Sequence, residues 1–125
     1  MREQLDAEAG PYWQTRFSFD KEGARKPKRL GTTGMDHLLI NAVVPCLFAF
    51  GRLQGRSDRQ ERALRLLETL PAESNTVLEA WARHGLPADT AGRSQALLEL
   101  KGSYCARRRC LSCGIGNQLL KRTVS

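Results

Sequence analysis

Hydrophobic positions are spread unevenly along the chain. Residues 1–34 hold few aliphatic side chains, whereas the remainder is dense in leucine. From Tyr12 to Asp20, "YWQTRFSFD", apolar and polar positions alternate: Trp13, Thr15, Phe17 and Phe19 would share one face of a strand, and Tyr12, Gln14, Arg16, Ser18 and Asp20 the other. No later stretch reads as a partner strand. A lone strand leaves its backbone groups unpaired, so it is expected to pack on the helices or to pair with a segment outside this chain. A basic loop then runs to Gly34.

The pattern changes after that loop. Leu38 to Phe50 is apolar on all sides, as in a helix buried by its neighbours, and Pro45 is expected to bend it. Ser57-x-x-Gln60 resembles a capping box, opening a helix with Ala63, Leu66, Leu67 and Leu70 in one stripe and a stop at Pro71. Ser74 or Asn75 caps the next helix, with Val77, Leu78 and Trp81 inward and Gly85 as its end. Asp89 or Thr90 caps another, through Ala96, Leu97, Leu100 and Tyr104, and a last short helix covers about Leu111 to Lys121. "LPAE" (70–73) and "LPAD" (86–89) echo each other, but two copies do not make a repeat architecture. The expected fold is all-α: a small bundle of about five short helices with an extended N-terminal arm. Residues 1–34 form the arm and basic loop, and 35–125 the helical domain with its C-terminal cysteine cluster.

Composition sharpens this picture. A chain of 125 residues, 41% hydrophobic, is long enough for one real core and too apolar for disorder. The formal net charge is +7. It is concentrated in Lys21, Arg25, Lys26, Lys28 and Arg29 against Glu22 alone, and in Lys101, Arg107, Arg108, Arg109, Lys121 and Arg122, where no acid follows Glu99. Concentrated positive charge attracts phosphate backbones, so Lys26, Lys28, Arg29, Arg107, Arg108, Arg109, Lys121 and Arg122 are candidate nucleic-acid contacts. The plainer reading is a solvated basic face. "MREQLDAEAG" has no apolar run that would read as a signal peptide, and Leu38–Phe50, which contains Asn41 and Pro45, is too short to span a bilayer. A cytoplasmic protein without membrane contact is expected, and in a reducing compartment clustered cysteines suggest metal before disulfide.

Cys105, Cys110 and Cys113 follow C-x4-C-x2-C. Thiolates at C-x2-C spacing can grip one metal from a tight turn, and a third four residues earlier can fold back onto it. Gly114 and Gly116 give the backbone room, and Arg107 to Arg109 would offset thiolate charge. The spacing occurs around iron–sulfur clusters, and C-x2-C is half of a zinc ribbon. Zinc or an iron–sulfur cluster is therefore the candidate cofactor, with the sulfurs expected within about 4 Å of one another. Cys46, His37 and His84 are candidates for the fourth ligand. Each has a plainer role, Cys46 as a small buried hydrophobe and the histidines as surface or capping groups. The alternative for the trio is free structural thiols. No catalytic set is visible: Glu73 near Asn75 reads as helix capping, and an enzyme is not expected.

Taken in order, "YWQTRFSF", "INAVVPCLFAFG", "LPAESN" followed by Trp81, "SQALLELKGSYC" and "CLSCGIG" resemble the C-terminal part of a bacterial family known as domain of unknown function 2851. The resemblance runs from Tyr12 to the C-terminus. It implies a truncated or split member of a longer family, whose upstream region is similar to metal-dependent nuclease folds. On that resemblance the Tyr12–Asp20 strand is a joint to an upstream domain or partner chain. Cys105, Cys110 and Cys113 match a recurring trio, Cys46 stands where the family has other residues, and the fourth ligand would lie upstream.

Two functions compete. One is a metal-stapled helical module whose arm and cysteine loop contact nucleic acid and assist a nuclease-like partner, motivated by the basic tail and by aromatic–basic mixing at Trp13, Arg16 and Phe17. The other is a structural or protein-interaction domain with free thiols.

Overall fold

The computed structural model describes residues 1–123 and is predominantly helical, with one two-stranded sheet. It divides into two compact units, Met1–Cys46 and Leu47–Ser125. The division lies beyond the break expected after residue 34, inside a continuous helix.

In the first unit a 3-10 turn, Arg2–Leu5, is followed by a short helix α1 (Pro11–Gln14) and a hairpin of β1 (Arg16–Ser18) and β2 (Lys21–Glu22). The expected nine-residue strand is thus corrected at both ends. Pro11 stands at the start of α1, where its fixed φ favours a helical turn, so Tyr12 to Gln14 wind up instead of alternating. The strand that remains does have a partner: Arg16 faces Glu22 and Ser18 faces Lys21, antiparallel, with an irregularity between them. β2 escapes the sequence because two polar residues carry no alternation to read.

Helix α2 (Thr32–Leu38), a π-helical turn (Leu39–Val43) and helix α3 (Val44–Leu53) run on without a break. The widened turn sits just before Pro45, with the Val44 N–H donating back to the Leu39 carbonyl. Such a turn gives the proline ring space against the preceding backbone. Met35, Leu39, Ile40 and Val44 are buried, while Leu38, Cys46 and Phe50 are exposed, so this helix has one apolar face inward and is not buried all round as expected. The full helix, Thr32–Leu53, spans 22 residues with a mean hydropathy of 1.4 in its most apolar window. By length and composition it could cross a membrane, a test that core helices of soluble proteins also pass. The shorter stretch seen in the sequence had set that possibility aside. At its N-terminal end the Asp36 carboxylate, buried, accepts two hydrogen bonds from Arg2, at 2.7 and 3.0 Å. These bonds, and then the attraction of the charges, raise the Arg2 guanidinium's affinity for its proton. The pair ties the first turn of the chain to α2.

In the second unit α4 (Ser57–Thr69) starts from Arg56 with no side-chain cap. The capping box expected at Ser57-x-x-Gln60 is not formed. Asp58 instead accepts from Arg56 at 2.9 and 2.8 Å, and those bonds hold its carboxyl below the usual range. Helix α5 (Thr76–Arg83) is capped as expected, the Asn75 Oδ1 accepting from the Leu78 N–H at 3.0 Å, and it ends at Gly85 with φ +82°. Helix α6 (Ala91–Glu99) is capped by Thr90, whose hydroxyl accepts from the Arg93 N–H at 3.3 Å. A second π-helical turn, Leu100–Cys105, extends it. After a 3-10 turn, Cys110–Ser112, helix α7 (Gly114–Thr123) closes the described chain. Helix α6 packs against α4 and α5, and Ala63, Leu70, Leu78 and Ala91 are buried at these seams.

The caps give a direct check. Asn75→Ala should destabilise the protein by about 1 kcal/mol, and Ser57→Ala by much less, because only the first removes an acceptor from a helix N-terminus. Chemical denaturation of both variants reads the difference.

Candidate functional site

The basic residues singled out in the sequence lie in two places, one per unit. In the first unit, the hairpin carries Phe17 and Phe19, which are 82% and 74% exposed. Arg16 sits over the Tyr12 ring at 4.5 Å from its centroid, and Lys28 over the Phe17 ring at 3.6 Å. The Lys28 ammonium also donates to the Arg16 carbonyl. The Tyr12 and Trp13 rings meet edge to face at 5.0 Å, as do those of Trp13 and Phe19 at 5.1 Å. Stacking and cation–π contacts therefore hold an aromatic cluster in place while leaving two phenylalanine faces to solvent. Around it, Arg25 donates to Gln14 at 3.1 Å and Arg29 pairs with Glu8 at 3.3 Å; Lys26 is exposed, its backbone N–H bound to the Gln14 carbonyl. The sequence pointed to Trp13, Arg16 and Phe17, and its alternation set Phe19 on the same face as Trp13; the two rings do meet, although Trp13 lies in α1 and not on a strand.

In the second unit, Arg107, Arg108 and Arg109 are exposed in the loop after the π-helical turn, and Lys121 and Arg122 lie on the last turn of α7. The loop reverses at Arg108, which adopts φ +53°, and the N–H groups of Arg108 and Arg109 return to the carbonyls of Cys105 and Tyr104 at 3.1 and 2.9 Å. This left-handed turn normally favours glycine.

The same loop decides the fate of the cysteines. Cys105 and Cys110 are exposed and Cys113 is buried, and all are free thiols, as is exposed Cys46. Among the described residues no three His, Cys, Asp or Glu side chains are gathered so that they could hold a metal ion. The convergence expected of Cys105, Cys110 and Cys113, with Cys46, His37 or His84 as a fourth ligand, is not in this structure, so its residues do not fit a metal site as they stand. The physical reason is local. Cys110 opens a 3-10 turn, Cys113 closes it and turns into the protein, and Gly116 lies so close to Cys110 that a Cβ there would come within 2.5 Å of the Cys110 carbonyl oxygen. Close backbone packing against Cys110 is what Gly116 allows, while Gly114 has nothing within 4 Å of where a Cβ would stand; the sequence read both as room around a metal.

Of Glu73 and Asn75, both read as helix capping, only Asn75 takes that role. Asn75 caps α5, while Glu73 accepts from the Gln95 amide and its N–H donates to the buried Ser94 hydroxyl at 3.4 Å. A feature the sequence missed is a groove of about 400 Å³ between α5 and the second π-helical turn, lined by Trp81, His84, Lys101 and Cys105 among others. Its signal was present in the i, i+3, i+4, i+7 spacing of Val77, Ala80, Trp81 and His84, which reads as a core stripe.

A small helical protein carrying an exposed aromatic–basic hairpin is the class that fold and site define. Residues 1–76 match the family described as "Protein of unknown function (DUF2851)", and the chain belongs to that family. The matched region contains the hairpin and Asn75; it ends before the cysteine trio and includes only Thr76 of the groove lining. No curated protein and no solved structure matches the chain.

Two outcomes follow. Thiol titration of the native protein should find Cys46, Cys105 and Cys110 reacting quickly and Cys113 only on denaturation; four equally slow thiols would contradict the exposures. Arg108→Gly should stabilise the protein by about 1 kcal/mol by relieving the left-handed backbone, read as a shift in denaturation midpoint.

Proposed function

We propose that the chain is a binding module for single-stranded nucleic acid, gripping through its N-terminal hairpin. The observation that carries this reading is the pair of exposed rings, Phe17 and Phe19, set among Arg16, Lys21, Arg25, Lys26 and Lys28. Soluble domains rarely leave two large aromatic faces open on one short hairpin without a partner for them. Bases stack on such faces whatever their sequence, and neighbouring cations follow the phosphates. Arg107 to Arg109 and Arg122 in the second unit are further exposed cations with the same preference. In this reading the chain supplies grip and not chemistry, and an upstream domain or partner chain carries any strand cleavage. Family membership is compatible with that division of labour and leaves the activity open.

The test is a titration of a fluorescent oligothymidylate at several salt concentrations. Affinity should fall as salt rises, with a log–log slope of about −0.7 for each phosphate contacted. Phe17→Ala together with Phe19→Ala should weaken binding by about tenfold or more, since each stacked base contributes roughly 1–3 kcal/mol. Circular dichroism should show the variant's helices intact. Salt-independent binding, or an unchanged affinity in the double variant, would sink the proposal.

A further inference from the structure

We infer that the groove between α5 and the π-helical turn Leu100–Cys105 is a binding site for a small organic anion with an aromatic or alkyl body. Its volume, about 400 Å³, falls in the range of small-molecule sites, roughly 300–1,000 Å³. The floor is apolar: Val77, Ala80 and Trp81, all half-buried, lie on one face of α5. The rim is cationic or neutral, with the Lys101 ammonium, the His84 imidazole and the Cys105 thiol, and among the described residues lining the groove none is acidic. An apolar floor disfavours a bare inorganic ion, because such an ion would lose hydration against Trp81 without recovering hydrogen bonds there. The cationic rim disfavours a neutral hydrocarbon less than it favours an anion. One carboxylate or sulfonate at Lys101, with its ring over Trp81, satisfies both surfaces.

The backbone supports the same reading. The wall that carries Lys101 and Cys105 is a π-helical turn, and such turns are less stable than the α-helix they interrupt and recur at functional sites. Lys101 and Cys105, four residues apart on that turn, both line the groove facing α5. This site belongs to the second unit and is inferred independently of nucleic-acid binding.

The probe is 8-anilinonaphthalene-1-sulfonate, titrated by fluorescence into the full chain carrying Phe17→Ser and Phe19→Ser, so that the exposed hairpin rings do not contribute. We expect one site per chain, displaced by indole-3-acetate and not by uncharged indole at the same concentration. Lys101→Met should weaken the dye by about tenfold, the loss of one charge-assisted contact. Ala80→Trp should abolish binding by filling the groove; if that variant does not fold by circular dichroism, Lys101→Met and the competition still decide. Undiminished binding in Lys101→Met, equal competition by indole and indole-3-acetate, or several dye molecules per chain would each overturn the inference.

Discussion

The second unit depends on a short backbone crossing between the end of α4 and the start of α6. The Ala91 N–H donates to the Leu70 carbonyl at 2.9 Å, and Pro71 and Thr90 form an isolated antiparallel bridge beside it. Around that crossing Ala63, Ala91 and Ser94 have no exposed surface at all. Small side chains are what allow it: a larger residue at any of the three would force the helices apart, since close-packed seams have no room for extra methylenes. Ser94 is polar, yet its hydroxyl donates to the Ala91 carbonyl at 2.9 Å and accepts from the Glu73 N–H; among the described residues no buried side-chain nitrogen or oxygen is left without a partner. The Glu73–Gln95 contact extends the same tie. From here the chain leads into the Asn75 cap and α5, so the position of Trp81 is set by this seam.

The apolar core that surrounds such ties is modest. The buried hydrophobic residues are few and several are alanine or cysteine, while Leu53, Leu64, Leu111, Ile115 and Leu119 are exposed. Small units bury a smaller fraction of their surface than large ones. Specific polar contacts therefore carry more of the definition of the structure: Arg2 on Asp36 in the first unit, and the Ser94 set in the second. The aromatic cluster of the hairpin belongs to the same economy of means. It is ordered by edge-to-face and cation–π contacts across a two-stranded ribbon that burial alone would not hold.

What the sequence made legible were signals that act within one turn of backbone. Asn75, Thr90, Pro71 and Gly85 each impose a local geometry through a side-chain acceptor, a fixed φ or a permitted positive φ, and each ends or begins a helix where expected. Ser57 failed as a cap because the helix starts one residue early for it, with Ser57 as its first residue and Arg56 at the cap position. The Tyr12–Asp20 alternation held only over Arg16–Ser18, because Pro11 acts locally and period-two patterning does not. The candidate site was half legible. Exposed aromatics and cations could be named, but which ring stays open depends on β2, a partner with no pattern of its own. The cysteine spacing was equally readable as ligands or as a turn; close packing at Gly116 and the inward Cys113 belong to the turn, and neither is written in spacing.

Both π-helical turns are exceptions to helical regularity, and they have different causes. Leu39–Val43 widens immediately ahead of Pro45, where a ring without an N–H must be fitted into a continuing helix, so its origin is covalent and local. Leu100–Cys105 contains no proline, and Gly102 within it has nothing within 4 Å of where a Cβ would stand. Neither a missing donor nor a steric conflict at that glycine requires the widening. The turn forms part of the groove wall opposite α5, with Lys101 and Cys105 on it, just before the chain reverses through the left-handed Arg108. A widened turn without a local cause, lying along an open apolar groove, is of the kind that recurs at functional sites. On that comparison the first π-turn is an adjustment to proline and the second belongs to the groove.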